Sequence, residues 1–211
     1  MRMRQYSLAV AAVLAVLMNR VDAAETASAD TNRFHSPTAG FTIVKPAGWQ
    51  FASVEQVATN RAVVRLKDKE LEQLIRERAT APLVVITKHP EPHNDLNPSA
   101  QVILRPLGQM ADQKPVELLR MVSGNLERGM KDFTFVEPVK EAQVGGLPAA
   151  TMKAKYSVAN PEGREFKTLA RMWLVPRGTF LFMISMSGPQ EGPDVSEKDF
   201  SAILDSIKIE K

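Results

Sequence analysis

The sequence of 211 residues contains no cysteine. This absence excludes disulfide bonds, thiolate nucleophiles and thiolate metal sites, and it also excludes lipid attachment through an N-terminal cysteine. The folded chain is therefore expected to depend on its hydrophobic core alone, and a chain of this length can bury a core of sufficient size.

Long apolar runs are also lacking over most of the chain. The exception is Leu8 to Met18, which follows two arginines and precedes Val21-Asp22-Ala23, a small-x-small pattern typical of signal-peptidase cleavage. Every later apolar segment is interrupted by Lys, Arg or Pro within a few residues, so none is expected to span a bilayer.

These features predict the organisation of the chain. We expect a signal peptide at 1–23 cleaved after Ala23, a flexible leader at 24–32 and a single domain at 33–211. The protein is then expected to be soluble and periplasmic or secreted, with no transmembrane segment after signal removal. Its oligomeric state is left open.

No strong excess of charge is present. The formal net charge is +3, and removal of residues 1–23 leaves 24 basic and 23 acidic residues, a net charge of +1. Nucleic-acid binding needs lysines and arginines clustered on one face. We therefore predict no nucleic-acid partner.

Familiar catalytic signatures are missing too. The sequence has no G-x-S-x-G elbow, no phosphate-cradling glycine loop and no H-E-x-x-H pattern. Ser123-Gly124 falls within a helical pattern and has no histidine near it in sequence. We predict no catalytic residue and no required cofactor, hence no enzyme, although a hydrolase assembled by folding from separate Asp, Glu and His residues stays an alternative.

The clearest pattern that is present is strand periodicity between Leu147 and Ser187. A first segment alternates apolar and polar residues, whereas the next two, Phe166 to Val175 and Thr179 to Met186, are apolar on both faces. Pro and Gly residues separate the three segments. The sequence predicts a β-meander whose second and third strands are covered on both sides.

Two helical patterns precede this meander in the chain, and one follows it. Leu119, Val122, Leu126 and Met130 recur at helical spacing after Pro115, which suits a first turn. Ser196 and Asp199 have the spacing of a capping box for a last helix. A surface helix is predicted at 67–78.

Two motifs at the ends of this domain resemble one known superfamily. Gly40 to Trp49 reads GFTIVKPAGW and Phe200 to Ile209 reads FSAILDSIKI. They are similar to the opening hairpin and the last helix of the PsbP-like and DcrB-like superfamily. The resemblance implies an α+β fold, a central antiparallel β-sheet with helices on both faces in a PsbP-like α/β/α sandwich.

The resemblance also implies a kind of function. Members of this superfamily mostly serve as accessory or interaction subunits, so we expect a non-catalytic exported protein that binds a protein partner in the envelope. Both matching motifs form the fold, and no binding residue is carried over from them.

One short segment carries possible ligand chemistry. His89, Glu91, His93 and Asp95 alternate with other residues, so in an extended chain all four side chains project to one side. Two imidazoles and two carboxylates suit zinc, copper or manganese. Pro90 and Pro92 favour polyproline II, in which the four side chains spread around the axis. The sequence leaves both alternatives open, a metal or small-ligand binding protein using the 89–95 loop and a rigid polar loop between two strands.

Overall fold

A computed structural model of the chain describes residues 31–53, 81–160 and 162–210. The predicted signal peptide, the leader up to residue 30 and the predicted helix at 67–78 lie outside these ranges. In the described part of the chain, no helix has the length and apolar character that a membrane crossing requires.

Ten strands form two antiparallel sheets in these ranges. The larger sheet has the order β3-β4-β5-β9-β8-β7-β6, and the smaller has the order β1-β2-β10. The strands are β1 (Arg33–Ser36), β2 (Phe41–Val44), β3 (Gln50–Phe51), β4 (Val84–Thr87), β5 (Ser99–Pro106), β6 (Lys131–Val144), β7 (Leu147–Ala159), β8 (Glu165–Arg177), β9 (Phe180–Pro189) and β10 (Lys208–Ile209).

The predicted meander is confirmed. β7, β8 and β9 are consecutive neighbours in the larger sheet, and β8 is hydrogen-bonded on both sides. Met172 and Leu174 of β8 are buried on one face of the sheet, while Trp173 and Val175 are buried on the other. The strand is apolar on both faces because both faces are covered.

A helix covers the first of these faces, which we call the α1 face. Helix α1 (Pro115–Gly129) begins at a proline, whose fixed φ and missing N–H suit the first turn. Its buried residues include Leu119, Val122 and Leu126, which pack with Met152 and Met172 of the sheet.

The second helix lies on the opposite face, which we call the α2 face. Helix α2 (Glu197–Asp205) and the smaller sheet cover this face together. Ile203 of α2 is fully buried, and the ring of Phe41 stacks on that of Phe182 with centroids 5.3 Å apart. The predicted fold class, a central antiparallel sheet with helices on both faces, is confirmed.

Three strands were not predicted, namely β3, β6 and β10. Lys131–Val144 forms β6, whose pairing with β7 is broken by three register shifts, so its side chains do not alternate regularly. Lys208–Ile209, assigned by the sequence to the end of the last helix, leaves that helix and pairs with β2 as β10. A strand of two residues is too short to show a period.

Candidate functional site

The loop between β4 and β5 is held in shape by Asn97 and Glu91. The Asn97 side chain accepts a hydrogen bond from the His89 N–H at 3.0 Å and donates to the His89 carbonyl at 2.9 Å. It also donates to Glu91 Oε1 at 2.8 Å, and Glu91 Oε2 accepts the His93 N–H at 2.9 Å. The Glu91 carboxylate is therefore engaged in fixing the loop that carries both histidines.

The two histidines of this loop lie against each other. Their rings stack with centroids 4.5 Å apart and an interplanar angle of 13°. His89 Nε2 is 2.8 Å from Asp194 Oδ1, in the segment before α2. One ligand atom from each of His89, His93 and Asp194 lies within 4.8 Å of the other two. We call these three residues the His–His–Asp cluster.

Lys88 contacts both the carboxylate of this cluster and the hydroxyl of Ser196. Lys88 Nζ is 3.2 Å from Asp194 Oδ1 and donates to Ser196 Oγ at 3.3 Å. The hydrogen bond from His89, with a further contribution from Lys88, holds the pKa of Asp194 below its ordinary value. Asp194 is thus an ionised carboxylate at neutral pH, as a metal ligand or ion-pair partner must be.

The capping box predicted for the last helix is wrong. Ser196 does occupy the N-cap position, but no side-chain bond caps the helix. Its hydroxyl donates instead to the Asp194 carbonyl at 2.9 Å and accepts from Lys88, so the group that a cap requires is already engaged.

The structure brings together two of the four residues singled out in the 89–95 loop. Glu91 and Asp95 lie outside the His–His–Asp cluster. Asp95 Oδ2 is 3.6 Å from the Arg164 guanidinium on the turn between β7 and β8. Asp194 was missed by the sequence analysis, because it lies 105 residues from His89 and no local pattern marks it.

A second feature of interest is the edge strand β6. Within the described ranges it pairs only with β7 and forms one end of the larger sheet. Phe135 and Val136 are adjacent on this strand and are 37% and 44% exposed. Phe135 is also in edge-to-face contact with Phe133, which packs on the α1 core.

A small cleft opens on the α1 face beside Tyr156. Its lining combines apolar residues with Arg171 and with three neutral polar residues, Gln101, Ser185 and Ser187. Burial raises the pKa of Tyr156 to about 12. The described lining includes no carboxylate and no histidine, so it offers no acid–base pair for catalysis.

Comparisons with known proteins extend the description of the fold. No family model matches the sequence, and no curated protein matches it either. Among solved structures, LpqN of Mycobacterium tuberculosis, a protein involved in cell envelope biogenesis, matches with a TM-score of 0.51 at 16% identity, over 81% of this chain and 83% of its own.

Two further structures are similar. The cyanobacterial PsbP protein CyanoP from Synechocystis matches with a TM-score of 0.48 at 15% identity, over 84% of this chain and 91% of its own. The Ran-binding protein Mog1p of Saccharomyces cerevisiae matches with a TM-score of 0.48 at 14% identity, over 84% and 94%. Of these three, LpqN alone exceeds a TM-score of 0.5. The likeness to LpqN supports the predicted fold class, and at 16% identity it shows the fold alone.

Proposed function

We propose that this chain is a non-catalytic exported protein that acts as an accessory or interaction subunit and binds a protein partner in the envelope. The observation that carries the proposal is the exposed pair Phe135 and Val136 on the edge strand β6. When a partner covers neighbouring apolar side chains on a sheet edge, their apolar area is removed from water, and this favours binding.

The shape of β6 indicates how such a partner makes contact. Register shifts occur between Lys131 and Thr134, between Phe135 and Glu137, and between Glu137 and Lys140. Bulges of this kind twist an edge and interrupt a continuous ladder, which disfavours addition of a long regular strand. The partner is therefore expected to contact the side chains of Phe135 and Val136 rather than extend the sheet.

Two observations support the absence of catalysis. Ser123, the one serine considered as a nucleophile, is buried within α1, and its hydroxyl donates to the Arg120 carbonyl at 3.0 Å. Among the described residues, the lining of the cleft beside Tyr156 consists of neutral groups and Arg171 and offers no pair of acid and base of the kind that a hydrolase requires.

Assignment to the envelope has a separate basis. The sequence predicts a signal peptide at 1–23, and LpqN, which shares the fold, is described as involved in cell envelope biogenesis. That description belongs to LpqN, and it is compatible with the same compartment for this chain.

A crosslinking experiment in the native envelope tests the proposal. A photo-crosslinking amino acid is placed at Phe135 in one variant and at Phe180 in another, because Phe180 is also an exposed phenylalanine, at 48%, but lies on β9. We expect one reproducible protein adduct from position 135 and none from position 180.

Loss-of-binding variants complete the test. The double variant Phe135→Ser, Val136→Ser is expected to lose the partner, while Phe180→Ser keeps it. The same adduct from both positions, or full partner recovery by the double variant, would contradict binding through β6.

A further inference from the structure

The His–His–Asp cluster has the composition of a metal site. We propose that His89, His93 and Asp194 bind one divalent transition-metal ion, with Zn²⁺ as the ion that suits them best. Imidazole nitrogen and carboxylate oxygen are common zinc ligands, and a set of three leaves a fourth tetrahedral position for water or for a group from a bound molecule.

The distances allow one ion to reach all three ligands. In a tetrahedral zinc site the metal–ligand distance is about 2.0–2.1 Å, so the ligand atoms stand about 3.3 Å apart. Here one atom from each side chain lies within 4.8 Å of the others, before any adjustment to an ion. Small side-chain rotations are enough to bring the ligand atoms to the separation that zinc requires, because all three side chains are half-buried rather than packed in the core.

The environment of His93 supplies an independent indication of a ligand. Its Nε2 atom is buried and has no hydrogen-bond partner in the described part of the chain. A buried polar nitrogen without a partner is unfavourable, because it has lost its hydrogen bonds to water without replacement. A metal ion, or a water bound to it, supplies a partner at this position.

The loop is also built to hold the two histidines before an ion arrives. Asn97 bonds both backbone groups of His89, and Glu91 bonds the backbone N–H of His93. Glu91 is thus a positioning residue for the site rather than a ligand. Pre-positioned ligands reduce the conformational entropy that binding must overcome.

Lys88 competes with the ion for Asp194. Zn²⁺ has to replace both the His89–Asp194 hydrogen bond and the contact between Lys88 Nζ and Asp194 Oδ1, which is 3.2 Å. Ser196 Oγ, already 3.3 Å from Lys88 Nζ, keeps the displaced ammonium group hydrogen-bonded.

Calorimetry on tag-free protein lacking residues 1–23 is the first test, with Zn²⁺ as the titrant. We expect one ion per chain, and we expect His93→Ala and Asp194→Asn each to weaken binding at least about tenfold. The matched controls Asp95→Asn and His35→Ala should bind like the wild type. Absence of binding by the wild type, or equal weakening by the controls, would overturn the proposal.

A second test needs no variant and so does not depend on folding of the mutants. Long-range ¹H–¹⁵N spectra of the wild-type protein separate its three imidazoles, since the chain has only three histidines. Added Zn²⁺ should shift the signals of His89 and His93 and leave those of His35 in place. Shifts confined to His35, or none at all, would overturn the assignment.

The competing lysine provides a gain-of-binding test. Lys88→Met removes the ammonium group that contacts Asp194, so zinc should bind several times more tightly than to the wild type. Weaker binding by this variant would be inconsistent with Asp194 as a ligand.

Discussion

The two faces of the larger sheet are closed by different means. As far as the structure describes the chain, the α1 face is covered by helix α1, which directly precedes β6. The buried residues of this face include Met130, Met152, Met172 and Met183, and its aromatic residues Phe133 and Tyr156 are only partly buried. The α2 face is covered by β1, β2, β10 and α2, which come from both ends of the described fold. Its buried residues include four aromatic side chains, Phe41, Trp49, Trp173 and Phe182.

This difference shows how the same sheet supports one adaptable face and one fixed face. Methionine side chains are flexible and fill irregular gaps, and the α1 face also contains the cleft beside Tyr156. Aromatic rings have few rotamers and need a defined geometry. Asp194 of the His–His–Asp cluster lies just before α2, so the cluster adjoins the face that is packed with aromatic rings.

The largest expected effect is a loss of stability, compared at two neighbouring residues of β9 that lie on opposite faces of the sheet. Phe182 is fully buried on the α2 face, so Phe182→Ala should lower the free energy of unfolding by about 3–5 kcal/mol. Met183→Ala, on the α1 face, should cost about 2–3 kcal/mol because neighbouring methionines adjust to the space. Urea denaturation measures both.

Phe180→Ala is the matched control on β9. Phe180 is exposed, and its replacement should change stability by about 0.5 kcal/mol or less. Equal losses for Phe182→Ala and Met183→Ala would remove the proposed distinction between the faces.

The next effect tests the contact between the hairpin of β6 and β7 and the last strand. Gly145 has φ of +58°, and an added Cβ would lie 3.0 Å from the Ile209 backbone nitrogen. Gly145→Ala should cost about 1–2 kcal/mol for the left-handed conformation, and the clash with β10 should add to that loss.

Gly146→Ala is the control for that contact. Gly146 also has positive φ, at +78°, but nothing lies within 4 Å of its added Cβ. Thermal unfolding should show a smaller loss for Gly146→Ala than for Gly145→Ala. Equal losses of stability in the two variants would indicate that the close approach of Ile209 to Gly145 does not add to the cost of Gly145→Ala.

A smaller effect is expected from the bond that joins α2 to β2. Ser206 Oγ accepts the Val44 N–H at 2.9 Å, across 162 residues of sequence. Ser206→Ala leaves this N–H without its acceptor and should cost about 1–2 kcal/mol. Ser201→Ala, on the exposed side of α2, should be close to neutral in the same denaturation experiment, and a neutral Ser206→Ala would contradict the role of this bond.

The effect that is smallest near neutral pH, and that grows only at alkaline pH, concerns the Tyr156 hydroxyl on the α1 face. Burial raises the pKa of Tyr156 from 10.0 to about 12, so the folded protein holds the phenolic proton where the unfolded chain has lost it. The resulting stabilisation is complete below pH 10 and is lost as the pH rises through about 12. Tyr156→Phe should remove this part of the alkaline loss of stability.

Absorbance titration reports Tyr156 directly. The chain has two tyrosines, and Tyr6 lies within the predicted signal peptide, so protein lacking residues 1–23 contains Tyr156 alone. Titration at the ordinary pKa of tyrosine in the folded protein would contradict burial of the hydroxyl.

The fold could be predicted where a regular period extends over many residues. Met172, Trp173, Leu174 and Val175 lie on the predicted alternate faces of β8, and the helical stripe of α1 is buried as expected. β6 could not be found in this way because bulges shift its register, and β10 could not because two residues define no period. Both depend on contacts made only after folding.

Only the two histidines of the candidate site, which lie in one loop, could be predicted from the sequence. His89 and His93 stand close together in one loop, so their spacing could be noticed. Asp194 is brought to them by the packing of α2 on the sheet, which no short pattern encodes. Glu91 and Asp95 were predicted as ligands on the assumption that the loop is extended. In the structure, Glu91 is hydrogen-bonded to Asn97 and Asp95 lies near Arg164, so both carboxylates are outside the cluster.

The pairing of β10 with β2 has a consequence for the order of folding. β2 lies near the start of the described fold, yet Phe41 and Ile43 are covered fully only when α2 and β10 arrive. Closing so long a loop is slow, because its entropy must be lost before the contacts form. The α2 face therefore cannot be completed in a nascent chain until Ile209, at the far end of the described fold, has been synthesised.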